Sequence, residues 1–362
     1  MRFKEQSAML AVSVVLALLC VSLNPSSVLA ETPDWYTCAD SSAFEPRRDF
    51  NADAVNVRNH QPSAGAETSA DLAAHARLSA MSYAMYEADV AGGDPLDALD
   101  RGLRPIALIY GDPGRQLRLR QRKAHNTRAF FGVVADDQST GQRLIILRGT
   151  LQPNEWIRNA QARLHPFLAS RTRRPFPWGI GQRMLPRARV HNGFMKIYES
   201  FELTPIVDGA AIPFAHGLGD LIADRNVTFI GHSLGGALAT LAGVDAALLP
   251  PRRGDRIRIV TFASPRVGNS EFARLAQAVG RIDRVCNLVD LVPAVPPSTP
   301  IAPYVHVGEV FPVSSFDWPE LENWHSQAGQ QVTCWHNISA YAYMTDPAKS
   351  NKGLSGCLRT ER

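Results

Sequence analysis

The sequence predicts an α/β fold with a mostly parallel central sheet and helices on both faces. Three observations predict it. An apolar, β-rich run at 227–230 passes through a glycine-rich turn into a small-residue helix former at 236–247. Two more β-rich runs, 257–262 and 284–289, flank a helical stretch at 271–279. This strand–helix alternation builds parallel sheets through right-handed crossovers. No internal repeat or low-complexity linker divides the chain, so residues 67–362 read as a single domain.

Composition narrows the function classes. The 362 residues are 45% apolar and 20% charged, ordinary for a globular protein. Net charge is +4, and only five residues are lysine (4, 123, 196, 349 and 352), so the positive charge is nearly all arginine. No basic stripe interleaves with aromatics, so nucleic acid is not an expected partner. No metal-ligand spacing or cofactor motif occurs, and none is expected. Oligomeric state is not legible.

The N-terminus reads as a secretory signal. Arg2 and Lys4 precede an apolar run at 9–23, shorter than the ~20 residues of a membrane span. Val28-Leu29-Ala30 supplies small residues for cleavage after Ala30, so residues 1–30 are the expected signal peptide. The expected location is secreted or periplasmic, with an uncleaved anchor as the competing reading. Cys38, Cys286, Cys334 and Cys357 then remain, an even number in an exported chain. The expected pairing is Cys38–Cys357 and Cys286–Cys334, against four buried thiols.

Residues 31–66 lack periodicity and read as an irregular N-terminal extension. Residues 68–89 read as a helix, with Ser69-Ala70-Asp71 offering the cap and Leu72, Ala76, Leu78, Met81 and Met85 its apolar face. Gly92-Gly93-Asp94-Pro95 stops it. Residues 96–125 are basic and mixed, with no assigned element. Strands at 129–135 and 144–147 flank a turn at 136–141. A long segment at 151–190, rich in Pro and Arg, follows. A helix opens at His191, and 204–224 reads as an irregular insertion. A strand at 304–311 and a helix from His336 to Met344 complete the pattern.

Gly231-His232-Ser233-Leu234-Gly235 has the form G-x-S-x-G, the nucleophile elbow of the α/β-hydrolase fold. Such a turn strains the serine backbone and projects its hydroxyl above the sheet edge. The flanking glycines let strand and helix approach. The Leu234 N–H then starts a helix, where it can face a developing oxyanion with the helix dipole behind it. Gly-rich strand–helix packing is the bland alternative.

A nucleophilic serine needs a base, and the base an orienting acid. In this fold class the chain order is Ser, acid, His. Asp290 sits past the carboxyl end of a strand, where catalytic groups collect. Asp283 lies at the wrong end, and Asp245 lies inside the elbow helix. Three histidines follow the serine: His306, His325 and His336. His306 lies within an apolar strand and reads as a core residue, whereas His336 opens a late helix and is favoured as the base. Thr150, after Arg148-Gly149, is the expected second oxyanion donor through its N–H and hydroxyl, against a plain helix cap.

Taken together, these stretches resemble the class 3 lipases, the fungal-type triacylglycerol lipases and their plant relatives within the α/β-hydrolase superfamily. The elbow matches through Ala239. Leu147-Arg148-Gly149-Thr150 is similar to the family's oxyanion strand, and Glu155-Trp156-Ile157-Arg158-Asn159 to its lid helix. Val190-His191-Asn192-Gly193-Phe194, the run from Thr261 to Asn269, and Asn287-Leu288-Val289-Asp290-Leu291-Val292-Pro293 match in order. Tyr304-Val305-His306-Val307-Gly308 matches a strand whose histidine is not catalytic in the family, which supports His336. The segment from Gly149 to the elbow is longer than the compact fungal pattern, with arginines and prolines at 163–189. Leu147 stands where an aromatic is often seen, and residues 31–66 and 346–362 find no counterpart.

The resemblance implies a secreted serine carboxylester hydrolase, first of all a triacylglycerol lipase, with Ser233, Asp290 and His336 as triad and Thr150 and Leu234 as oxyanion hole. Its expected partner is a lipid or other acyl ester. Arg163, Arg171, Arg173, Arg174, Arg183, Arg187 and Arg189, near Phe176 and Trp178, suit transient contact between 151–190 and an anionic lipid surface. A phospholipase A1 is therefore an alternative. So is a short-chain or feruloyl-type esterase and, from another class, a non-catalytic binding protein.

Overall fold

Alternating apolar residues set the sheet. Phe229, Ile259 and Ile145 enter one buried cluster, while their neighbours Ile230, Val260 and Ile146 enter the other. Successive side chains of a strand point to opposite faces, so strands apolar at both positions need cover on both sides. The computed structural model describes residues 38, 66–113, 128–150, 163–167, 187–251, 254–288, 290–315, 318, 321 and 334–346. All of them fall in one contact unit, residues 37–45 and 61–362.

The large sheet has nine strands, which run in chain order as β1 Leu103–Gly111, β2 Ala129–Asp137, β3 Arg143–Leu147, β6 Glu202–Pro205, β7 Ile212–Pro213, β8 Val227–His232, β9 Ile257–Phe262, β11 Arg281–Asn287 and β13 Glu309–Val313. Four short strands, β4 Leu164–Pro166, β5 Arg189–His191, β10 Gly268–Asn269 and β12 Tyr304–Val305, form a separate sheet. In the large sheet the order is β13-β11-β9-β8-β3-β2-β1-β6-β7. Strands β3, β8, β9, β11 and β13 are mutually parallel, and antiparallel strands extend the β3 edge. This is the α/β-hydrolase fold.

Among the described residues the α-helices are α1 Ala66–Val90, α2 Asn192–Tyr198, α3 Phe214–Leu221, α4 Leu234–Leu248, α5 Ser270–Ala276 and α6 Ile338–Thr345. Every residue of α4 is buried. Its small residues allow this: a Cβ on Gly243 would already stand 2.6 Å from Ile259 Cδ1. Leu72, Ala76 and Met85 of α1 belong to the cluster that includes Tyr341 of α6, on the other face.

Several expectations change. Helix α1 begins at Ala66, so Ser69 and Asp71 lie inside it, and the Asp71 carboxylate binds Arg258 rather than capping. The expected apolar face holds: Leu72, Ala76 and Met85 are buried, and the half-buried Leu78 and Met81 pack against the same cluster. The unassigned 96–125 stretch contains β1, and 204–224 contains β7 and α3. The strand expected over 304–311 breaks at Gly308 into β12 and β13, which join different sheets.

The expected disulfides are also corrected. Cys38 pairs with Cys286 on β11, with a sequence separation of 248. That rules out both Cys38–Cys357 and Cys286–Cys334. The cause is tertiary: Arg284, two residues before Cys286, donates from both terminal nitrogens to the Cys38 carbonyl and holds Cys38 beside β11. Cys334 is disulfide-bonded as well, to a partner outside the described residues.

Candidate active site

The elbow forms because the chain has no easier way from β8 into α4. A Cβ on Gly231 would run into the Gly235 backbone, and one on Gly235 into the Leu147 and Arg148 backbone. Ser233 adopts φ 58° and ψ −128°, a conformation L-residues rarely take. Its N–H donates to the Phe262 carbonyl at 2.9 Å, and its carbonyl accepts from Gly236 and Ala237 in the first turn of α4. These bonds hold the strained residue in place. Leu234 is the first residue of α4, so its N–H has no intrahelical acceptor.

Ser233, His336 and Asp290 stand in one hydrogen-bonded line. Ser233 Oγ lies 2.8 Å from His336 Nε2, and His336 Nδ1 lies 2.8 Å from Asp290 Oδ2. All three residues are buried. Because a carboxylate can only accept, Nδ1 carries the proton, and the unprotonated Nε2 faces the serine hydroxyl.

Asp290 follows β11, and neutral donors fill its lone pairs. Tyr341 Oη donates to Oδ2 at 2.8 Å and Val292 N–H to Oδ1 at 2.9 Å. Burial, then the neighbouring Asp290, pushes the Tyr341 phenol well above its usual range, so it stays a donor. The same phenol accepts the Asn287 N–H at 3.0 Å. Asn287 also donates to the Trp335 carbonyl at 3.2 Å, which ties the acid loop to the turn before His336.

Thr150 follows β3 beside the elbow. Its Oγ1 is buried and makes no hydrogen bond among the described residues. The preceding Gly149 carbonyl accepts from Arg148 Nη1 at 2.6 Å, while Arg148 Nε donates to the Phe130 carbonyl at 2.7 Å. The guanidinium also lies over the Tyr86 ring, 3.8 Å from its centroid. A trans peptide sets N–H opposite C=O, so pinning this carbonyl turns the Thr150 N–H to the other side.

The competing groups lie elsewhere. Asp283 is paired with Arg258 and Arg281. Asp245 accepts from Tyr198 Oη at 2.6 Å. His306 is buried and bonds through Nε2 to the Pro293 carbonyl at 2.9 Å, so it braces the loop beyond Asp290. His325, residues 155–159 of the expected lid, and Arg171, Arg173, Arg174, Phe176, Trp178 and Arg183 lie outside the described residues.

Sequence reasoning passed over Tyr83, His232, Arg148 and Tyr341. Tyr83 falls on the stripe of Leu72, Ala76 and Ser79, a polar-tipped aromatic on a buried helix face. That was a readable signal. The others owe their importance to partners that no local pattern names: His232 to the His336 carbonyl, Tyr341 to Asp290, and Arg148 to the Phe130 carbonyl and the Tyr86 ring.

Known proteins bear on this site. Residues 144–299 match the family described as Lipase (class 3). A rice protein, phospholipase A1-II 4 of Oryza sativa subsp. japonica, is 30% identical over 64% of this chain and 58% of its own length. Phospholipase A1-IIgamma of Arabidopsis thaliana is 32% identical over 53% of this chain and 48% of its own. The chain thus spans about half the length of the curated relatives it matches. A solved lipase from Rhizopus microsporus var. chinensis is 22% identical, with a TM-score of 0.48 over 71% of this chain and 77% of that one. The residues that match the class 3 lipase family, 144–299, include Gly149-Thr150, the Ser233 turn and Asp290.

Proposed function

We propose that the protein is a serine carboxylester hydrolase that cleaves fatty-acyl esters through an acyl-enzyme on Ser233. The observation that carries this reading is the buried Ser233–His336–Asp290 line, with 2.8 Å at each link. Ser233 Oγ attacks the ester carbonyl as His336 Nε2 takes its proton. The same nitrogen then protonates the leaving alcohol. Asp290 keeps its charge, holds the Nδ1–H tautomer and stabilises the imidazolium. The N–H groups of Thr150 and Leu234, with the Thr150 hydroxyl, which has no partner among the described residues, receive the oxyanion. Loss of one such donor costs about 3–4 kcal/mol of transition-state stabilisation. Water, activated by His336, releases the acid.

The resemblance read from the sequence puts triacylglycerol first among substrates. The relatives named phospholipase A1 favour a second reading, in which one acyl ester of a phospholipid is cleaved. Export belongs to the same proposal, and the Cys38–Cys286 disulfide supports an oxidising compartment.

The test compares wild type with Ser233→Ala on soluble p-nitrophenyl esters, triacylglycerol emulsions, and vesicles of zwitterionic or anionic phospholipid. Ser233-dependent release from emulsions above vesicles supports the lipase, and the reverse supports the phospholipase. Activity confined to short soluble esters makes it an esterase. No Ser233-dependent turnover on any substrate sinks the hydrolase and revives the binding-protein reading.

A further inference from the structure

We infer that Tyr83 and His232 are positioning residues: they link the oxyanion-side loop to the backbone of the turn that carries His336. The inference rests on the hydrolase reading above. Four groups from distant parts of the chain form one file. Gly149 N–H donates to Tyr83 Oη at 3.1 Å. Tyr83 Oη lies 2.7 Å from His232 Nδ1, and His232 Nε2 lies 2.7 Å from the His336 carbonyl oxygen.

The chemistry of the two ends orients every proton between them. An amide N–H can only donate, and a carbonyl oxygen can only accept. His232 Nε2 therefore carries its proton, Nδ1 accepts, and the Tyr83 hydroxyl donates to it while accepting from Gly149. One tautomer satisfies all four groups. Burial, and then His336 beside it, pulls the His232 imidazole well below its usual range, so the ring stays neutral and the file persists. Linked dipoles of this kind strengthen one another in a low-dielectric interior.

The two ends of the file bear on the two halves of the proposed reaction. At one end, Tyr83 takes the Gly149 amide while Arg148 takes the Gly149 carbonyl at 2.6 Å. The peptide planes on both sides of Gly149 are thereby held, and the second contains the Thr150 N–H. The loop also packs so closely on the elbow that only glycine fits at 149. A Cβ on Gly149 would collide with Tyr83 Oη and stand 2.9 Å from Ser233 Cβ. At the other end, His232 holds the His336 main chain, while Asp290 holds only its ring. The two imidazoles lie alongside, with centroids 4.7 Å apart and planes tilted by 37°. A phenylalanine would fill the space of Tyr83, but it could make neither bond.

The test uses the full chain and a soluble p-nitrophenyl butyrate. Tyr83→Phe is expected to lower kcat tenfold or more with KM within twofold, the pattern of an interaction made only in the transition state. His232→Leu should behave alike, and Tyr83→Phe/His232→Leu should be no worse than the worse single variant, since either change cuts the same file. Wild-type kcat in Tyr83→Phe, or additive losses in the double variant, overturns the inference. If the variants do not fold, histidine 15N NMR of the wild type decides: His232 must be the Nε2–H tautomer and His336 the Nδ1–H tautomer. An Nδ1–H His232 overturns it. Full-rate Tyr83→Phe beside a dead Ser233→Ala sinks the positioning role alone. A wild type with no Ser233-dependent turnover sinks the proposed function and this role with it.

Discussion

Two aspartates seven positions apart live in opposite electrostatic surroundings. Asp283 lies inside β11, fully buried, and is neutralised by Arg258 at 2.6 Å and Arg281 at 2.8 Å. Asp290 lies past the carboxyl end of the same strand, also buried, and its partners among the described residues are a phenol, an amide and an imidazole. The pattern extends beyond this strand. Asp136, opposite Arg143 at the start of β3, is held by Arg104, Arg143 and Arg225. Carboxylates toward the amino ends of the parallel strands are matched by fixed cations and serve as staples. The carboxylate at the carboxyl end is solvated by neutral donors, so its charge stays available to an imidazolium. Burial is the same, and the partner chemistry decides the role.

The largest effect should come from exchanging the two. Asp290→Asn is expected to cost about 10⁴-fold in kcat on a soluble ester, because an amide no longer holds the right histidine tautomer. Asp283→Asn should leave kcat of the folded protein near wild type but leave Asp71 as the remaining carboxylate partner of Arg258, a loss of about 2 kcal/mol in urea unfolding. Equal kinetic losses in both variants would break the comparison.

Cys286 lies between the two aspartates, bonded to Cys38. Replacing both cysteines with serine should lower stability by about 3 kcal/mol, mainly by freeing the unfolded chain. Because Asn287 and Tyr341 position the acid loop, kcat measured below the melting range should persist. A folded variant without activity would show that the disulfide, rather than the hydrogen bonds, places Asp290.

Acid should separate the two ends of the sheet. Burial, the largest influence, pulls His232 and His306 well below their usual range, and it pushes His191 down to about 4. The unfolded chain therefore takes up these protons first. Stability from each is complete above the unfolded value of about 6.5 and falls by about 1.4 kcal/mol per pH unit below it, until the folded value is reached. Burial raises the Asp71 and Asp136 carboxyls, but their arginine bonds outweigh it and hold both below the usual range. Their contribution is present above the unfolded value of about 3.9 and drains only below it. Melting curves should thus shift down between pH 6.5 and 5 in wild type. A flat profile there would contradict the buried neutral histidines.

The smallest effect belongs to the exposed members of the Asp136 cluster. The side chains of Arg104 and Arg225 are 65% and 37% exposed, against 10% for Arg143. Arg104→Ala or Arg225→Ala should change stability by no more than about 1 kcal/mol. A larger loss in either would mean that the staple is a cooperative network.

Much of the site was legible because its signals are local. The run from Val227 to Ala247 carries its own strand, turn and helix chemistry, and the observed β8, elbow and α4 follow it. The β9 boundaries coincide with the apolar run at 257–262. Asp290 and His336 could be nominated because chain order and strand ends restrict where an acid and a base can stand. Strand β1 escaped because Arg104 and Pro105 interrupt its apolar run: Arg104 bonds Asp136 while Leu108 and Ile109 are buried. Helix α3 escaped because its start has no capping side chain to announce it.

The sheet-and-elbow framework is written locally in the chain, since period, glycine spacing and strand ends act over a few residues. Folding alone settles which cysteines meet, which carboxylates are neutralised, and that Tyr83, Gly149, His232 and His336 share one file of hydrogen bonds. Those outcomes depend on groups brought together across 38 to 336 in the chain, and no local pattern encodes the partner of a buried polar atom.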